Sequence, residues 1–133
     1  MTFVVAGRRP LLRDPTSRLT EAGLVVREVW RRLPALYARV ELDEIAIMAD
    51  HVHAVVWLTD RGAPRTPLGE IVRGWKGSAC RQIRARDPGF GWQSHFHDRV
   101  IRSPEALARI RDYIRRNISS LGPGCDSSHP PPL

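Results

Sequence analysis

Cysteine, lysine and long apolar runs are scarce in this chain of 133 residues. Its two cysteines, Cys80 and Cys125, are too few and too far apart for a disulfide framework, which indicates a reducing compartment. No apolar stretch approaches the roughly 18 residues that a membrane-spanning helix needs. The first residues also lack the basic-then-apolar order of a signal peptide. The sequence therefore predicts a cytoplasmic protein with no membrane partner.

Positive charge is abundant and comes almost entirely from arginine. Lys and Arg number 21 against 14 acidic residues, and Lys76 is the single lysine. The planar guanidinium group of arginine suits phosphate oxygens, and a small basic domain most often binds nucleic acid. With 42% hydrophobic residues the chain can still form one packed core.

Hydrophobic periodicity predicts strands and helices in the order β-α-β-β-α-β-α. Apolar residues alternate along the strands and recur every three or four residues along the helices. Ser103-Pro104-Glu105 predicts a helix start, because a hydroxyl caps the first turn and proline needs no amide partner there. Thr66-Pro67-Leu68 predicts a cap and first turn in the same way. The predicted strands are 2–6, 40–48, 52–58 and 94–102, and the predicted helices are about 20–36, 66–86 and 103–117.

This order predicts an α+β fold with a ferredoxin-like βαββαβ core. An antiparallel sheet would carry helices on one face, and the C-terminal helix would be an addition to that core. Residues 1–118 form the single predicted domain. Residues 119–133 are rich in Gly, Ser and Pro, which predicts a disordered tail.

Two histidines, His51 and His53, interrupt the apolar run of the third predicted strand. Because alternate residues of a strand share a face, both imidazoles would project together, and two imidazoles so close can bind one divalent ion. The alternative is a hydrogen-bonded pair at a strand edge. On the last helix, Tyr113 and Asn117 share a face at i, i+4 spacing. An ordinary half-buried aromatic and a helix-ending residue are the alternatives there.

Four motifs in unbroken order resemble those of the REP-associated tyrosine transposases, which have an IS200-like domain and belong to the HUH superfamily of single-strand transposases and endonucleases. Residues 48–56, Met-Ala-Asp-His-Val-His-Ala-Val-Val, resemble the family's Met-Pro-Asn-His-Val-His motif. Residues 71–78 resemble its helix with an aromatic residue followed by Lys and Ser. Residues 92–102 resemble its Trp-Gln…Asp-x-x-Ile-Arg strand, and residues 110–117 resemble its Tyr-Ile-x-x-Asn helix. The resemblance covers residues 2–118.

The chain departs from the family pattern in three places. Ala49-Asp50 stands where the family has Pro-Asn, which adds a carboxylate beside His51. Ile118 rather than Pro follows Asn117, and the first strand is abbreviated. These departures leave the expected fold intact and bear on the level of activity.

The resemblance implies metal-dependent nicking and strand transfer on single-stranded DNA, with hairpin-forming repeats as the expected substrate. Tyr113 would be the nucleophile on a C-terminal catalytic helix and would form a covalent 5′-phosphotyrosine; the other tyrosine, Tyr37, lies at the end of the first helix. His51, His53 and Asn117 would hold Mg²⁺ or Mn²⁺, which neutralises charge on the phosphate. The resemblance leaves monomer and homodimer open.

Basic and aromatic residues form the expected DNA surface, because basic groups contact phosphates and an aromatic ring can stack on an unpaired base. For Trp75, packing in the core is an equal alternative. The candidate DNA-binding residues are Arg8, Arg9, Arg73, Trp75, Lys76, Arg81, Arg84, Arg99 and Arg102.

Two further functions are compatible with the sequence. One is a domesticated protein of the same fold that binds hairpin DNA without efficient cleavage. Asp50 and the residues after Asn117, which do not resemble the family's usual ending, favour this function. A zinc-binding structural domain is the other, because His95 and His97 share a face of the fourth predicted strand and could hold zinc with Cys80. Packing or DNA contact is the favoured interpretation of that second histidine pair.

Overall fold

Three strands and three helices form an α+β fold in the computed structural model, which describes residues 1–60, 62 and 65–121. The strands are antiparallel in the order β1-β3-β2, so β3 is central. A single 3-10 turn, Ala6–Arg8, follows β1. The strands are β1 (Thr2–Val4), β2 (Val40–Ile47) and β3 (His51–Leu58), and the helices are α1 (Glu21–Leu36), α2 (Leu68–Arg84) and α3 (Pro104–Ser119).

Strands β2 and β3 form the predicted hairpin. The amide of Met48 donates to the carbonyl of His51 at 2.8 Å, which closes the turn. The pairing shifts register between Leu42 and Ile45, so two residues of β2, Asp43 and Glu44, face one residue of β3. Such a bulge bends the strand and redirects its side chains.

The larger core lies between one face of the sheet and helices α1 and α2. Trp30 of α1 and Trp75 of α2 are 0% and 1% exposed, with ring centroids 5.1 Å apart. Val52 and Ala54 of β3 belong to the same cluster. The side chain of Thr20 accepts a hydrogen bond from the amide of Gly23 and caps α1. This layer follows from the apolar periodicity of both helices.

Helix α3 covers the opposite face of the sheet. Ala46 and Val55 contact Ile114, and Leu107 and Ile110 are partly buried against them. The predicted helix start is confirmed, because the Ser103 hydroxyl accepts a hydrogen bond from the amide of Ala106 at 3.1 Å. The α+β architecture, with a C-terminal helix added to the sheet, is therefore as predicted.

The predicted fourth strand at 94–102 is wrong. Residues 92–97 run alongside β1 but pair with the first strand region only through two isolated antiparallel bridges, Val5 to Trp92 and Thr2 to His97. The physical reason is the length of β1, whose 3 residues offer too short an edge for a continuous partner. The ferredoxin-like core accordingly has three regular strands among the described residues.

Several predicted boundaries also differ by one or two residues. Helix α2 begins at Leu68, after Pro67, and no side chain caps it, so the predicted cap at Thr66 is wrong. Helix α3 extends to Ser119, slightly beyond the predicted end, and residues 122–133 of the predicted tail lie outside the described residues. No helix in the described part of the chain is long and apolar enough to cross a bilayer.

Candidate functional site

Three side chains named from the sequence lie together on the α3 face of the sheet. The ring centroids of His51 and His53 are 4.7 Å apart, as their spacing on β3 predicted. The ring of Tyr113 lies edge-on to His53, with centroids 5.5 Å apart. A phenol carried by α3 is thereby placed beside two imidazoles carried by β3.

Hydrogen bonds at Nδ1 orient both imidazoles. His51 donates Nδ1–H to Oδ1 of Asp50 at 2.6 Å, and Nδ1 of His53 lies 2.7 Å from Oγ1 of Thr2. Occupying Nδ1 leaves Nε2 as the nitrogen available to a ligand, provided that His53 donates its Nδ1 proton to Thr2. The extra carboxylate at Asp50 is thus part of the site rather than a neutral change.

The charges around the histidines favour neutral His53 and ionised Asp50. Burial, the charge of His51 and the amino terminus lower the pKa of His53 to about 4, so its ring is neutral at pH 7. Neutral imidazole is the form that binds metal. Burial alone would raise the pKa of Asp50, but hydrogen bonds from His51 and Arg8 outweigh it and lower that pKa.

Asn117 lies one turn after Tyr113 and donates its side-chain amide to the Tyr113 carbonyl at 2.8 Å. Its Oδ1 is the atom left for a ligand. Two imidazole nitrogens and one amide oxygen suit Mn²⁺ better than Mg²⁺, which prefers oxygen ligands and retains its waters. By donor chemistry alone, His51, His53 and Asn117 therefore fit a divalent cation.

The alternative zinc site is not formed. The described residues contain no group of three His, Cys, Asp or Glu side chains that could hold a metal ion. Cys80 instead lies partly buried, with its thiol 3.9 Å from the carbonyl of Phe90, and His95 and His97 are exposed.

Two buried carboxylates that the sequence analysis missed fix α3 on the sheet. Asp43 and Glu44 are both 0% exposed at the β2 bulge. Arg111 donates through Nε to Oδ1 of Asp43, and Arg115 donates through Nε to Oε1 of Glu44, each at 2.8 Å. The signal was present in the sequence, because paired acids interrupt an apolar strand while Arg111 and Arg115 share a helix face at i, i+4 spacing.

Trp75 does not serve as a stacking residue. It is 1% exposed, packs edge-on to Phe3, and donates Nε1–H to the carbonyl of Val26 at 3.2 Å. This corrects its candidacy as a DNA-binding residue, since stacking on a base needs an open ring face.

The basic candidates on α2 lie on the other side of the sheet from Tyr113. Arg73 and Arg81 are exposed, while Arg84 donates to the carbonyl of Phe90 at 2.7 Å. Lys76 donates to the carbonyl of Gln93 at 2.8 Å, and burial lowers its pKa. Helix α2 thus forms a basic surface separate from the histidines.

Four other arginine candidates lie outside α2. Arg8 pairs with Asp50 at 3.3 Å, beside His51, and Arg9 donates to the carbonyl of Gly89 at 3.3 Å. Arg99 and Arg102 are exposed and line a groove on the α3 face. The candidates closest to the histidine face are therefore Arg8, Arg99 and Arg102.

Comparisons with known proteins relate this geometry to a transposase fold. No protein-family model matches the chain. An uncharacterized protein from Haemophilus influenzae is 25% identical in an alignment of 119 positions that covers 75% of this chain and 66% of that protein.

Two solved structures share the fold. The structure of a REP-associated tyrosine transposase bound to a REP hairpin has a TM-score of 0.68 and 20% identity, over 91% of this chain and 66% of that one. A transposase-like protein from Deinococcus radiodurans R1 has a TM-score of 0.59 and 19% identity, over 87% of this chain and 86% of that one. The chain thus spans about two thirds of the length of the first relative in each comparison. It has the α+β fold of a REP-associated tyrosine transposase, and the likeness that its motifs predicted is confirmed at the level of the fold.

Proposed function

We propose that the protein is a metal-dependent, HUH-type transesterase that nicks and rejoins single-stranded DNA beside hairpin-forming repeats. The observation that carries this proposal is the contact between Tyr113 of α3 and His53, which itself lies against His51. A nucleophile beside a pair of metal-binding side chains is the arrangement that phosphoryl transfer requires.

Tyr113 is the proposed nucleophile. Its side chain is 56% exposed, so DNA can reach it. Its phenolic oxygen attacks the phosphorus, the bond from phosphorus to the 3′ oxygen breaks, and the 3′ oxygen leaves as a hydroxyl. The proton lost by the phenol balances the one gained by the leaving oxygen. The phosphate stays on Tyr113 as a 5′-phosphotyrosine, which keeps the energy of the ester for rejoining.

His51, His53 and Asn117 are the proposed ligands of Mg²⁺ or Mn²⁺. When bound, the cation would neutralise charge on the phosphate and polarise the phosphorus. Asp50 and Thr2 fix the imidazoles through Nδ1. The side chains thus hold their positions before DNA arrives.

Hairpin DNA is the proposed partner because of the fold and the charge. The transposase of known structure is bound to a REP hairpin, and this chain carries a formal net charge of +7. Arginines attract phosphates regardless of sequence, so they would position the hairpin without selecting bases.

A labelled hairpin oligonucleotide with single-stranded flanks tests the proposal. In Mn²⁺ or Mg²⁺ the wild type should form a complex that survives denaturation, and Tyr113→Phe should form none while still binding the hairpin. Tyr37→Phe is the matched control and should form the adduct. Adduct formation by Tyr113→Phe contradicts the assignment.

A second candidate is a hairpin-binding protein of the same fold without efficient cleavage. The carboxylate of Asp50 favours it, because it stands beside His51 at the position where the resembled motif has asparagine. Tight hairpin binding by the wild type without any adduct, in either metal, would establish this candidate instead.

A further inference from the structure

The α3 face of β3 continues beyond the histidines to an exposed tryptophan. His51, His53, Val55 and Trp57 project from one side of the strand, since they alternate with residues of the larger core. Trp57 is 45% exposed. The other three tryptophans are partly or wholly buried, so Trp57 is the indole that offers an open ring to a ligand.

Trp57 borders an apolar groove of about 630 Å³. The groove lies between β3, the segment 98–102 and the first half of α3. Its apolar walls include Val55, Val100, Ile101 and Leu107.

Arginine side chains lie at the rim of this groove. Arg99 and Arg102 line it, and they also line an adjoining pocket of about 510 Å³ to which Arg109 contributes. All three are exposed. Asp98 is the one acidic residue among the described residues that line the groove. The combination of an apolar floor and a mainly basic rim suits a ligand that is both flat and anionic.

The ring of Trp57 is held in place before any ligand binds. Its Nε1 donates to Oδ2 of Asp43 at 2.7 Å, and Asp43 is fully buried and also accepts hydrogen bonds from Arg111. A side chain fixed in this way loses little conformational entropy on binding.

We propose that this groove binds an unpaired nucleobase of the single-stranded DNA next to the scissile phosphate. The base stacks on Trp57, and the adjacent phosphates contact Arg99 and Arg102. Trp57 lies four residues along β3 from His53, about 13 Å at the rise of a strand, on the face that carries Tyr113. A single DNA strand can therefore contact both Trp57 and Tyr113. This inference rests on the proposed function and deepens it.

Fluorescence anisotropy with two oligonucleotides tests the subsite. One is a hairpin with a single-stranded flank, and the other is the same hairpin without the flank. Trp57→Ala should weaken binding of the flanked hairpin by about ten- to a hundredfold, the range of stacking on one base, and leave the blunt hairpin unaffected. Trp57→Phe should retain part of the affinity, because it keeps a ring that can stack but loses the hydrogen bond to Asp43 that holds the ring in place. Leu36→Ala, on the exposed side of α1, is the control and should bind both like wild type.

An abasic scan of the flank completes the test. In the wild type, removing one particular base should cause the same loss as Trp57→Ala, and that removal should have little further effect in Trp57→Ala. Equal affinity of Trp57→Ala and wild type for the flanked hairpin overturns the subsite while leaving the proposed function standing. If the wild type binds neither hairpin, both the subsite and the proposed function are overturned.

Discussion

At the scale of single residues, the site depends on partners that sequence spacing cannot reveal. The spacing of His51 and His53 predicted a shared face, because the period of a strand is local. Thr2 lies opposite His53 only through the pairing of β1 with β3, and that register depends on the whole sheet. The histidine pair was therefore predictable, whereas its orienting hydroxyl was not.

Replacing Thr2 by Val should lower the affinity for Mn²⁺ by about ten- to a hundredfold, the usual effect of losing the hydrogen-bond partner of a ligand histidine. Valine keeps the branched shape of threonine in β1 but cannot hold Nδ1 of His53. Isothermal titration of Mn²⁺ into the DNA-free protein measures the change. Thr66→Val, before α2, is the control, and equal affinities in all three proteins would refute the role of Thr2.

At the scale of elements, local periodicity predicted the helices and the hairpin, and tertiary pairing decided the rest. Helix α3 followed from its cap and its apolar stripe. Residues 94–102 alternate like a strand, yet β1 is too short to pair with all of them. The position of Tyr113 also depends on ion pairs between α3 and the β2 bulge.

Replacing Arg111 by Gln should destabilise the protein by about 2–3 kcal/mol, because the carboxylate of Asp43 would stay buried without its cation. The Arg111 side chain is 26% exposed, which keeps this cost below that of a wholly buried pair. Urea unfolding monitored by circular dichroism gives the free energy. The control is Arg116→Gln on the same helix, whose pair with Asp112 is exposed; it should cost under about 0.5 kcal/mol. Equal losses in both variants would contradict the assignment.

Acid should weaken the attachment of α3 through Asp43. Burial alone would raise the pKa of Asp43, but hydrogen bonds from Arg111 and Trp57 outweigh burial and lower that pKa below 3.8. The resulting stability is present above the unfolded value and is lost as pH falls through the lower, folded value. The stability advantage of wild type over Asp43→Asn should therefore shrink below about pH 4. Urea unfolding at pH 6 and pH 3 measures it, and an advantage that grows in acid would have the wrong sign.

At the scale of the whole molecule, composition predicted a basic domain and the order of elements predicted an α+β fold, but neither predicted which residues form each surface. Hydrophobic periodicity does not predict which part of β3 is left exposed by the helix that packs on it. The sequence left the core and the DNA surface as equal alternatives for Trp75, which is buried, and assigned no role to Trp57, which is exposed near the end of β3. Charge named arginines on both faces of the sheet, of which Arg99 and Arg102 are exposed on the face of the histidines.

Affinity for a flanked hairpin should fall steeply with salt, because each phosphate contact releases counterions. Replacing Arg99 and Arg102 together by Gln should reduce the slope of log affinity against log salt by about 1.4, at roughly 0.7 for each contact with single-stranded DNA. Arg31→Gln combined with Arg32→Gln, on α1, is the matched control. Anisotropy titrations over a salt series measure the slopes, and an unchanged slope in the first variant would exclude those contacts.

The length of the short β2–β3 turn decides which residues of β3 face α3. The odd-numbered residues from His51 to Trp57 face α3, while Val52 and Ala54 between them face the larger core. Gaining or losing one residue between the turn and His51 would turn the imidazoles toward the larger core and turn Val52 and Ala54 toward α3. We therefore expect an insertion or deletion between the turn and His51 to abolish the site.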